Sequence, residues 1–325
     1  MDNTSPIYAL GIDIGGTNTA YGLVDVHGTV LRRGSIPTTE HPEPADYVRA
    51  VSECLRPLIE AVGGRSHICG LGIGAPNANY YTGTVEQPPN LPWKGTIPLA
   101  QLFRQELDLP VVLTNDANAA ALGEMTYGVA RGMKDFIMIT LGTGVGSGIV
   151  CGGQLVYGHD GFAGELGHVT VVPGGRSCGC GRCGCLEAYC SATGVARTGR
   201  ELLRTTSQES SLRALSPECI TSKDICMAAL DGDALARQVY EQTGELLGRA
   251  LANFVAFTSP EAFVFFGGLT RAGELLFAPT RRAMEENLLP VYRGKVRLLL
   301  SSMPDADAAI LGASALAFQE IKHVS

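Results

Sequence analysis

Two segments of the chain, residues 7–31 and 136–156, share one layout of strand, glycine turn, strand, second turn and strand. The first glycine turn spans residues 13–19 and the second spans residues 141–148, and both contain threonine. Short apolar runs bounded by Gly and Asp are typical of strands. The repeat predicts two related lobes that each open with a β-meander, although two unrelated hairpins can look alike by chance.

Strand and helix patterns alternate between and after these meanders, which favours an α/β architecture. Asp305 has the residue type and position of an N-cap for the last helix. No charged or low-complexity linker marks a domain boundary. The boundary between the lobes is therefore placed near residue 114 from the pattern of strands and helices alone. Helices are expected at 44–61, 99–106, 117–125, 188–203, 222–230, 233–257 and 305–321, and further strands at 69–73, 111–114 and 262–266.

Composition excludes several classes of protein. The net charge of −7 argues against nucleic acid as a partner, because backbone binding needs clustered Lys and Arg. Glycine and polar residues interrupt every apolar run that approaches membrane length. The first six residues lack the basic region and apolar run of a secretory signal. We therefore expect a cytoplasmic protein, whose ten cysteines stay reduced.

Five potential metal ligands lie within 18 residues: His168, Cys178, Cys180, Cys183 and Cys185. Thiolates and imidazoles at such spacing are typical zinc ligands, and four of them would leave no open position for water. The sequence therefore indicates a structural zinc site. A disulfide framework is the alternative, but it requires an oxidising compartment.

The two glycine turns follow strands and can offer backbone N–H groups to phosphates. Neither turn matches the P-loop or the dinucleotide fingerprint, and each could be an ordinary hairpin. Facing each other across a cleft, they could hold one polyphosphate from both sides. Asp13 would act there through Mg²⁺, or it could simply satisfy turn amides. Gly267 and Gly268, after the predicted strand 262–266, could let adenine lie on bare backbone.

Asn115 and Asp116 stand between a predicted strand and an alanine-rich helix, where ligands gather in α/β sheets. Both are good N-caps, and one cap suffices. Asp116 is therefore available to accept the proton of an attacking hydroxyl during phosphoryl transfer. Trp93 could pack beneath a sugar or fill a core gap. Side chains suited to binding sugar hydroxyls are Asn90, Asn115, Asp116, Glu165, His168 and Glu187, and His168 could use one ring nitrogen for zinc and the other for a hydroxyl.

The motifs together resemble the ROK family of sugar kinases, repressors and related proteins. Residues 10–17 (LGIDIGGT) resemble its first phosphate motif and residues 141–146 (LGTGVG) its second. Residues 115–120 (NDANAA) resemble its catalytic segment. Residues 165–168 (ELGH) with 178–187 (CGCGRCGCLE) resemble its zinc signature. The resemblance covers nearly the whole chain.

The resemblance implies a two-lobed actin-like ATPase fold, related to ribonuclease H, whose last helix returns to the first lobe. The lobes would be residues 1–114 with 304–325, and residues 115–303 with the zinc loop. It implies Asp116 as the base and a homodimer or dimer of dimers as the assembly. Structural zinc would bind His168, Cys178, Cys180 and Cys185, because Cys183 occupies a variable position. ATP with Mg²⁺ would contact Asp13, Gly15, Gly16, Thr17, Asn18, Gly142, Thr143, Gly144, Gly146, Gly267 and Gly268.

Within the family, the similarity is closest to the bacterial glucokinases, which implies phosphorylation of the 6-hydroxyl of glucose with ATP. Kinases for fructose, N-acetylmannosamine or allose share most of these residues. A sugar-sensing protein without catalysis is the rival, but a sensor would not need an intact Asp116. A repressor is disfavoured, because family repressors carry an N-terminal winged helix and only six residues precede the first predicted strand.

Overall fold

The computed structural model describes residues 7–304 and 307–321 as a mixed α/β protein with two five-stranded sheets and one three-stranded sheet. The first half carries the first large sheet, the small sheet and the helices that cover them. In chain order its elements are β1 (Tyr8–Ile14), β2 (Asn18–Asp25), β3 (Val30–Pro37), α1 (Pro44–Ala61), β4 (Ile68–Gly74), β5 (Ala78–Asn79), β6 (Thr84–Glu86), β7 (Thr96–Ile97), α2 (Leu99–Leu107), β8 (Val111–Thr114) and α3 (Asp116–Tyr127).

The second half carries the second large sheet and most of the long helices, and α9 at its end returns to the first sheet. Its elements are β9 (Phe136–Leu141), β10 (Val145–Cys151), β11 (Gln154–Leu155), α4 (Glu187–Cys190), α5 (Ala192–Thr205), α6 (Ser222–Leu230), α7 (Ala234–Thr258), β12 (Ala262–Phe266), α8 (Glu274–Asn287), β13 (Arg297–Leu300) and α9 (Ala308–Ile321).

The two large sheets repeat one arrangement. The first has the strand order β3-β2-β1-β4-β8, in which the meander β1–β2–β3 is antiparallel and β4 and β8 run parallel to β1. The second has the order β11-β10-β9-β12-β13, with the meander β9–β10–β11 antiparallel and β12 and β13 parallel to β9. The predicted opening of each half with a β-meander is therefore confirmed. The small sheet, β5-β6-β7, is antiparallel.

Helix α9 lies directly on the first sheet because two sheet residues lack side chains. A Cβ atom at Gly11 would overlap the carbonyl oxygen of Ile310, and one at Gly72 would overlap that of Ala313. The backbones can therefore approach more closely than any larger residue would allow. The expected return of the last helix to the first half is confirmed, while the exact division into lobes at residues 114 and 304 remains our proposal.

Several predicted elements have the bounds that the pattern indicated, including α1, β8, α6 and β12. The single helix predicted at 188–203 was wrong. Ser191 is extended (φ −86°, ψ 169°) and its side chain accepts a hydrogen bond from Gly194 N, so it ends α4 and caps α5. Asp13 belongs to β1 and not to the turn. The predicted N-cap Asp305 lies outside the described residues.

Several elements were missed, among them the three short strands β5, β6 and β7 of the small sheet, helix α8 and strand β13. Helix α8 contains Pro279, which obscures its helical pattern, and the short edge strand β13 has little alternation of burial. Among the described residues, no helix combines the length and the apolar character that crossing a membrane would require.

Candidate active site

A cleft of about 450 Å³ lies where strands of the two large sheets end. Three residues near the ends of strands line it: Asp13 of β1, Thr140 of β9 and Phe266 of β12. Asn115, which follows β8, also lines it. Its volume is in the range of small-molecule sites, and its position follows the rule for ligands in α/β sheets. The sequence-predicted residues that line it are Asp13, Asn90, Asn115, Asp116, Gly142, Thr143, Gly144, Gly146, Glu165, His168, Glu187 and Gly267.

Asn115 and Asp116 divide their tasks at the start of α3. Asn115 is the N-cap, and its Oδ1 accepts a hydrogen bond from Ala117 N at 2.8 Å. Asp116 is the first helical residue, and its Oδ1 also accepts from Ala117 N at 2.8 Å. Since Asn115 alone satisfies the cap, the Asp116 carboxylate is not required for it and lines the cleft.

The Asp116 carboxyl is accessible from the cleft but has protein atoms on its other sides. This burial raises its pKa above the usual 3.8, and the hydrogen bond from Ala117 N partly offsets the rise. The carboxyl therefore holds a proton more readily than an ordinary aspartate does. Such a shift moves a carboxylate towards the pKa range in which general bases work at neutral pH.

Asp13, at the end of β1, lies close to Asp116. A Cβ atom on Gly74 of the neighbouring strand would lie 3.5 Å from Asp13 Oδ1 and 3.6 Å from Asp116 Cα. Burial, and to a lesser extent the Asp116 carboxylate, together raise the pKa of Asp13 to about 7. Two carboxyl groups that disfavour each other's ionisation create a place where a cation is favourable.

The second glycine turn joins β9 and β10 across the cleft. Its backbone is held by hydrogen bonds from Gly142 N to Gly144 O at 3.0 Å and from Gly146 N to the Thr140 hydroxyl at 3.1 Å. Val145 N donates to Glu187 Oε2 at 2.9 Å. A Cβ atom on Gly142 would meet nothing within 4 Å, so this side of the turn is open to a ligand.

The first glycine turn joins β1 and β2 and is arranged differently. Gly15 N donates to Asn18 O at 3.0 Å, which closes the turn, and Gly16 packs against Asn90. Thr17 and Asn18 are exposed. The described residues that the sequence assigned to ATP binding but that do not line the cleft are Gly15, Gly16, Thr17, Asn18 and Gly268.

Glu165 and His168 reach the cleft from a short 3-10 helix, Leu166–His168. The Ser147 hydroxyl holds the start of this turn, because it donates to Gly164 O and accepts from Leu166 N. Burial raises the pKa of Glu165, the nearby His168 lowers it, and the carboxylates of Asp116 and Glu187 raise it. His168 Nε2 lies 4.0 Å from Glu165 Oε2. The Nε2 atom of His168 therefore faces the Glu165 carboxylate.

The other ring nitrogen of His168 lies with three cysteines. The ligand atoms of His168, Cys178, Cys180 and Cys185 all lie within 4.8 Å of one another. The sulfurs of Cys180 and Cys185 are 3.7 Å apart, and Cys178 Sγ is 3.6 Å from His168 Nδ1. Cys183 is exposed and is not part of the group.

These distances suit a tetrahedral zinc centre. With Zn–S near 2.3 Å and Zn–N near 2.0–2.1 Å, two sulfurs are separated by about 3.8 Å, and a sulfur and a nitrogen by about 3.6 Å. All ten cysteines are free thiols, and 3.7 Å far exceeds the length of a disulfide bond. The arrangement therefore fits zinc and argues against the disulfide framework.

Sequence reasoning missed several residues of the cleft. Asn77 follows β4, has a positive φ of 52° and donates from its side chain to Gln87 O at 3.2 Å. Its position just after a strand is the signal that could have revealed it. Met303, Ala308 and Ala309 have no local signal, because the fold brings them from the far end of the chain. Trp93 is 2 % exposed and fills the core, where its ring packs against another aromatic ring.

Comparison with known proteins gives a consistent result. The model of the ROK family matches residues 9–320. Glucokinase of Halalkalibacterium halodurans is 36 % identical over 317 residues, covering 96 % of this chain and 95 % of that protein. N-acetylmannosamine kinase of Escherichia coli O157:H7 is 34 % identical over 310 residues, covering 95 % and 97 %.

A solved structure agrees over the same length. The ROK family glucokinase of Streptomyces griseus, in complex with glucose and AMPPNP, superposes with a TM-score of 0.79 at 35 % identity, covering 96 % of this chain and 99 % of that one. The expected actin-like ATPase fold is thereby confirmed.

Proposed function

The chain belongs to the ROK family, and on that premise we propose that it is a hexose kinase that transfers the γ-phosphate of ATP to the 6-hydroxyl of glucose. The observation that supports the chemistry most is the position of Asp116. Its carboxylate lines the cleft while Asn115 caps the helix, so it is available for proton transfer.

Phosphoryl transfer depends mainly on positioning and on neutralising charge. The open side of the turn Gly142–Gly146 would hold the phosphates through backbone N–H groups, with Thr143 assisting. Mg²⁺ bound with ATP would neutralise charge on the β- and γ-phosphates, and Asp13 would act beside it. On the opposite side, the polar groups of Asn90, Glu165 and His168 would orient the sugar hydroxyls.

Asp116 would accept the proton of the attacking hydroxyl. Only its ionised form can do so, and its raised pKa makes it a stronger base than an ordinary aspartate. Activity should therefore decline on the acidic side as Asp116 becomes protonated. A bound cation near Asp13 would favour ionised carboxylates and move this decline to lower pH.

Zinc would have a structural role in this scheme. Four protein ligands fill its coordination sphere, so no water could be activated on it. His168 would bind zinc through Nδ1, which leaves Nε2 on the side of Glu165. Glu165 precedes His168 by three residues and Glu187 follows Cys185 by two, so zinc would fix both carboxylates at the cleft.

Substitution of Asp116 by asparagine tests this proposal. The variant keeps the size of the side chain and leaves the cap on Asn115 intact, so its thermal stability and its glucose affinity should match those of the unmodified enzyme. Its kcat should fall by about 10²–10⁴-fold, the usual contribution of a general base. Rates would be followed as ADP formation, with glucose affinity measured by calorimetry.

The matched control is Asn115→Ala, which removes the cap. It should lower stability by roughly 1 kcal/mol. If Asp116→Asn lost stability and kept its turnover, Asp116 would be a structural residue and the base would lie elsewhere.

The choice of sugar is tested separately with a panel of glucose, N-acetylmannosamine, fructose and allose. We expect the highest kcat/KM with glucose. N-acetylmannosamine is the strongest competitor, because a kinase for it is nearly as similar to this chain as the glucokinase is. Sugar binding without ADP formation for any member of the panel would instead favour a sensor.

A further inference from the structure

The backbone conformation at Gly16 does not require glycine. The glycines of the described chain with positive φ do not include it, so alanine could adopt its conformation. A Cβ atom on Gly16 would, however, lie 2.6 Å from Asn90 O and 3.2 Å from Asn90 Cβ. The missing side chain therefore makes room for Asn90, which lines the cleft where Gly16 does not.

Gly144 in the second turn repeats this relation. It also lies outside the positive-φ region, and a Cβ atom there would overlap Glu187 Oε2. The same carboxylate oxygen accepts a hydrogen bond from Val145 N at 2.9 Å. The missing side chain of Gly144 thus lets Glu187 bind the backbone of the glycine turn.

Gly142 provides the contrast within the same turn. Its φ is also not positive, yet a Cβ atom there would meet nothing within 4 Å, and the residue lines the cleft. Open space beside Gly142 suits the approach of a phosphate, whereas protein atoms already fill the space beside Gly16 and Gly144. The glycines of the two turns therefore do not all serve one purpose.

A buried hydroxyl network supports the contact at Gly16. The Thr19 hydroxyl, just after the turn, is hydrogen-bonded to the Thr38 hydroxyl at 2.9 Å and to the Tyr47 hydroxyl at 2.8 Å. The Tyr47 ring packs against Trp93, with ring centroids 4.7 Å apart, and Trp93 is three residues from Asn90. All three hydroxyl-bearing residues are fully buried. The base of the first turn and the Asn90 loop thus rest on one packed unit.

We propose that Gly16 and Gly144 are positioning residues for the sugar, because their missing side chains seat Asn90 and Glu187 against the two glycine turns. This inference rests on the proposed function and deepens it. Each turn would thereby fix the position of one group that orients the sugar. Gly16 and Gly144 would therefore act through Asn90 and Glu187. The space beside each glycine would be occupied by these residues and not by the nucleotide.

The test compares Gly144→Ala with the matched control Gly142→Ala in the same turn. In Gly144→Ala the Glu187 carboxylate must rotate away, so the KM for glucose should rise about 10- to 100-fold, as expected for a misplaced positioning group. The KM for ATP should change by less than about threefold, within the scatter of a neutral substitution. In Gly142→Ala the KM for ATP should rise and the KM for glucose should change little, because the new methyl group enters the open side of the turn.

A second variant pair separates positioning from loss of folding. Glu187→Asp shortens the side chain and clears the new methyl group, so its penalty on glucose binding should not add to that of Gly144→Ala in the double variant. Gly16→Ala should raise the KM for glucose in the same way, and thermal denaturation would show whether each variant is folded.

An increase in the KM for ATP in Gly144→Ala, with the KM for glucose unchanged, would refute the inference, as would no change in either. Additive penalties in the double variant would also refute it. Failure of the unmodified chain to phosphorylate any sugar of the panel would refute the proposed function instead. The two failures are thus distinguishable.

Discussion

Replacement of Asp13 by asparagine should make the free energy of unfolding less sensitive to pH. Burial, reinforced by Asp116, raises the pKa of Asp13 from 3.8 to about 7 in the folded protein. The folded state therefore binds this proton more tightly than the unfolded state does. Stability from this group is fully present below pH 3.8 and is lost as the pH rises through about 7.

The size of the effect follows from the shift. A carboxyl group with these two pKa values lowers the free energy of unfolding by roughly 4 kcal/mol at high pH, and about 2–3 kcal/mol of this develops between about pH 5 and 8. Asparagine has no such titration. The stability of Asp13→Asn relative to the unmodified protein should thus increase by about 2–3 kcal/mol over that range.

Urea unfolding at several pH values, without nucleotide or added Mg²⁺, measures this difference. Asp46→Asn is the control, because Asp46 is an exposed aspartate whose ion pair with Arg49 contributes little. It should follow the unmodified protein at every pH. A stability difference for Asp13→Asn that stays constant from pH 5 to 8 would refute the reasoning.

Three further predictions concern the metal, the packing and nucleic acid. Cys180→Ser should lose zinc in elemental analysis, while Cys183→Ser should retain about one zinc per chain; loss of metal from Cys183→Ser would contradict the ligand assignment. Gly72→Ala should lower stability by about 1–3 kcal/mol in thermal or urea unfolding, because its Cβ would overlap Ala313 O, whereas Gly268→Ala, which would meet nothing within 4 Å, should change it by less than about 0.5 kcal/mol. Equal stabilities of the two variants would show that α9 can shift freely. A chain with a net charge of −7 should not bind duplex DNA in a sequence-selective way at physiological salt, and a mobility shift under those conditions would overturn this expectation.

The local elements of the fold could be predicted from sequence because local patterns encode them. Helix α1 and strand β12 lie where their apolar spacing indicated. The break at Ser191 was missed because residues on both sides favour helix, although serine is a good N-cap and here accepts a hydrogen bond from Gly194 N. Helix α8 was missed because Pro279 within it reads as a helix breaker.

The candidate site divides in the same way. The spacing of the cysteines and His168 was enough to predict a metal site, because ligands that are close in sequence can converge without contacts from the rest of the chain. Which of two adjacent residues caps α3 was decided by side-chain geometry, which the sequence does not contain: Asn115 takes the cap and Asp116 lines the cleft.

The sequence by itself determined that two meanders, two glycine turns and one ligand cluster would form, since each depends on residues that are neighbours in the chain. Only the tertiary structure decided what each turn touches. Gly16 and Asn90 are 74 positions apart yet pack against each other, and Asp13 and Ala308 are 295 apart yet both line the cleft. Such contacts arise from the packing of whole sheets and helices, and no local pattern of residues specifies them.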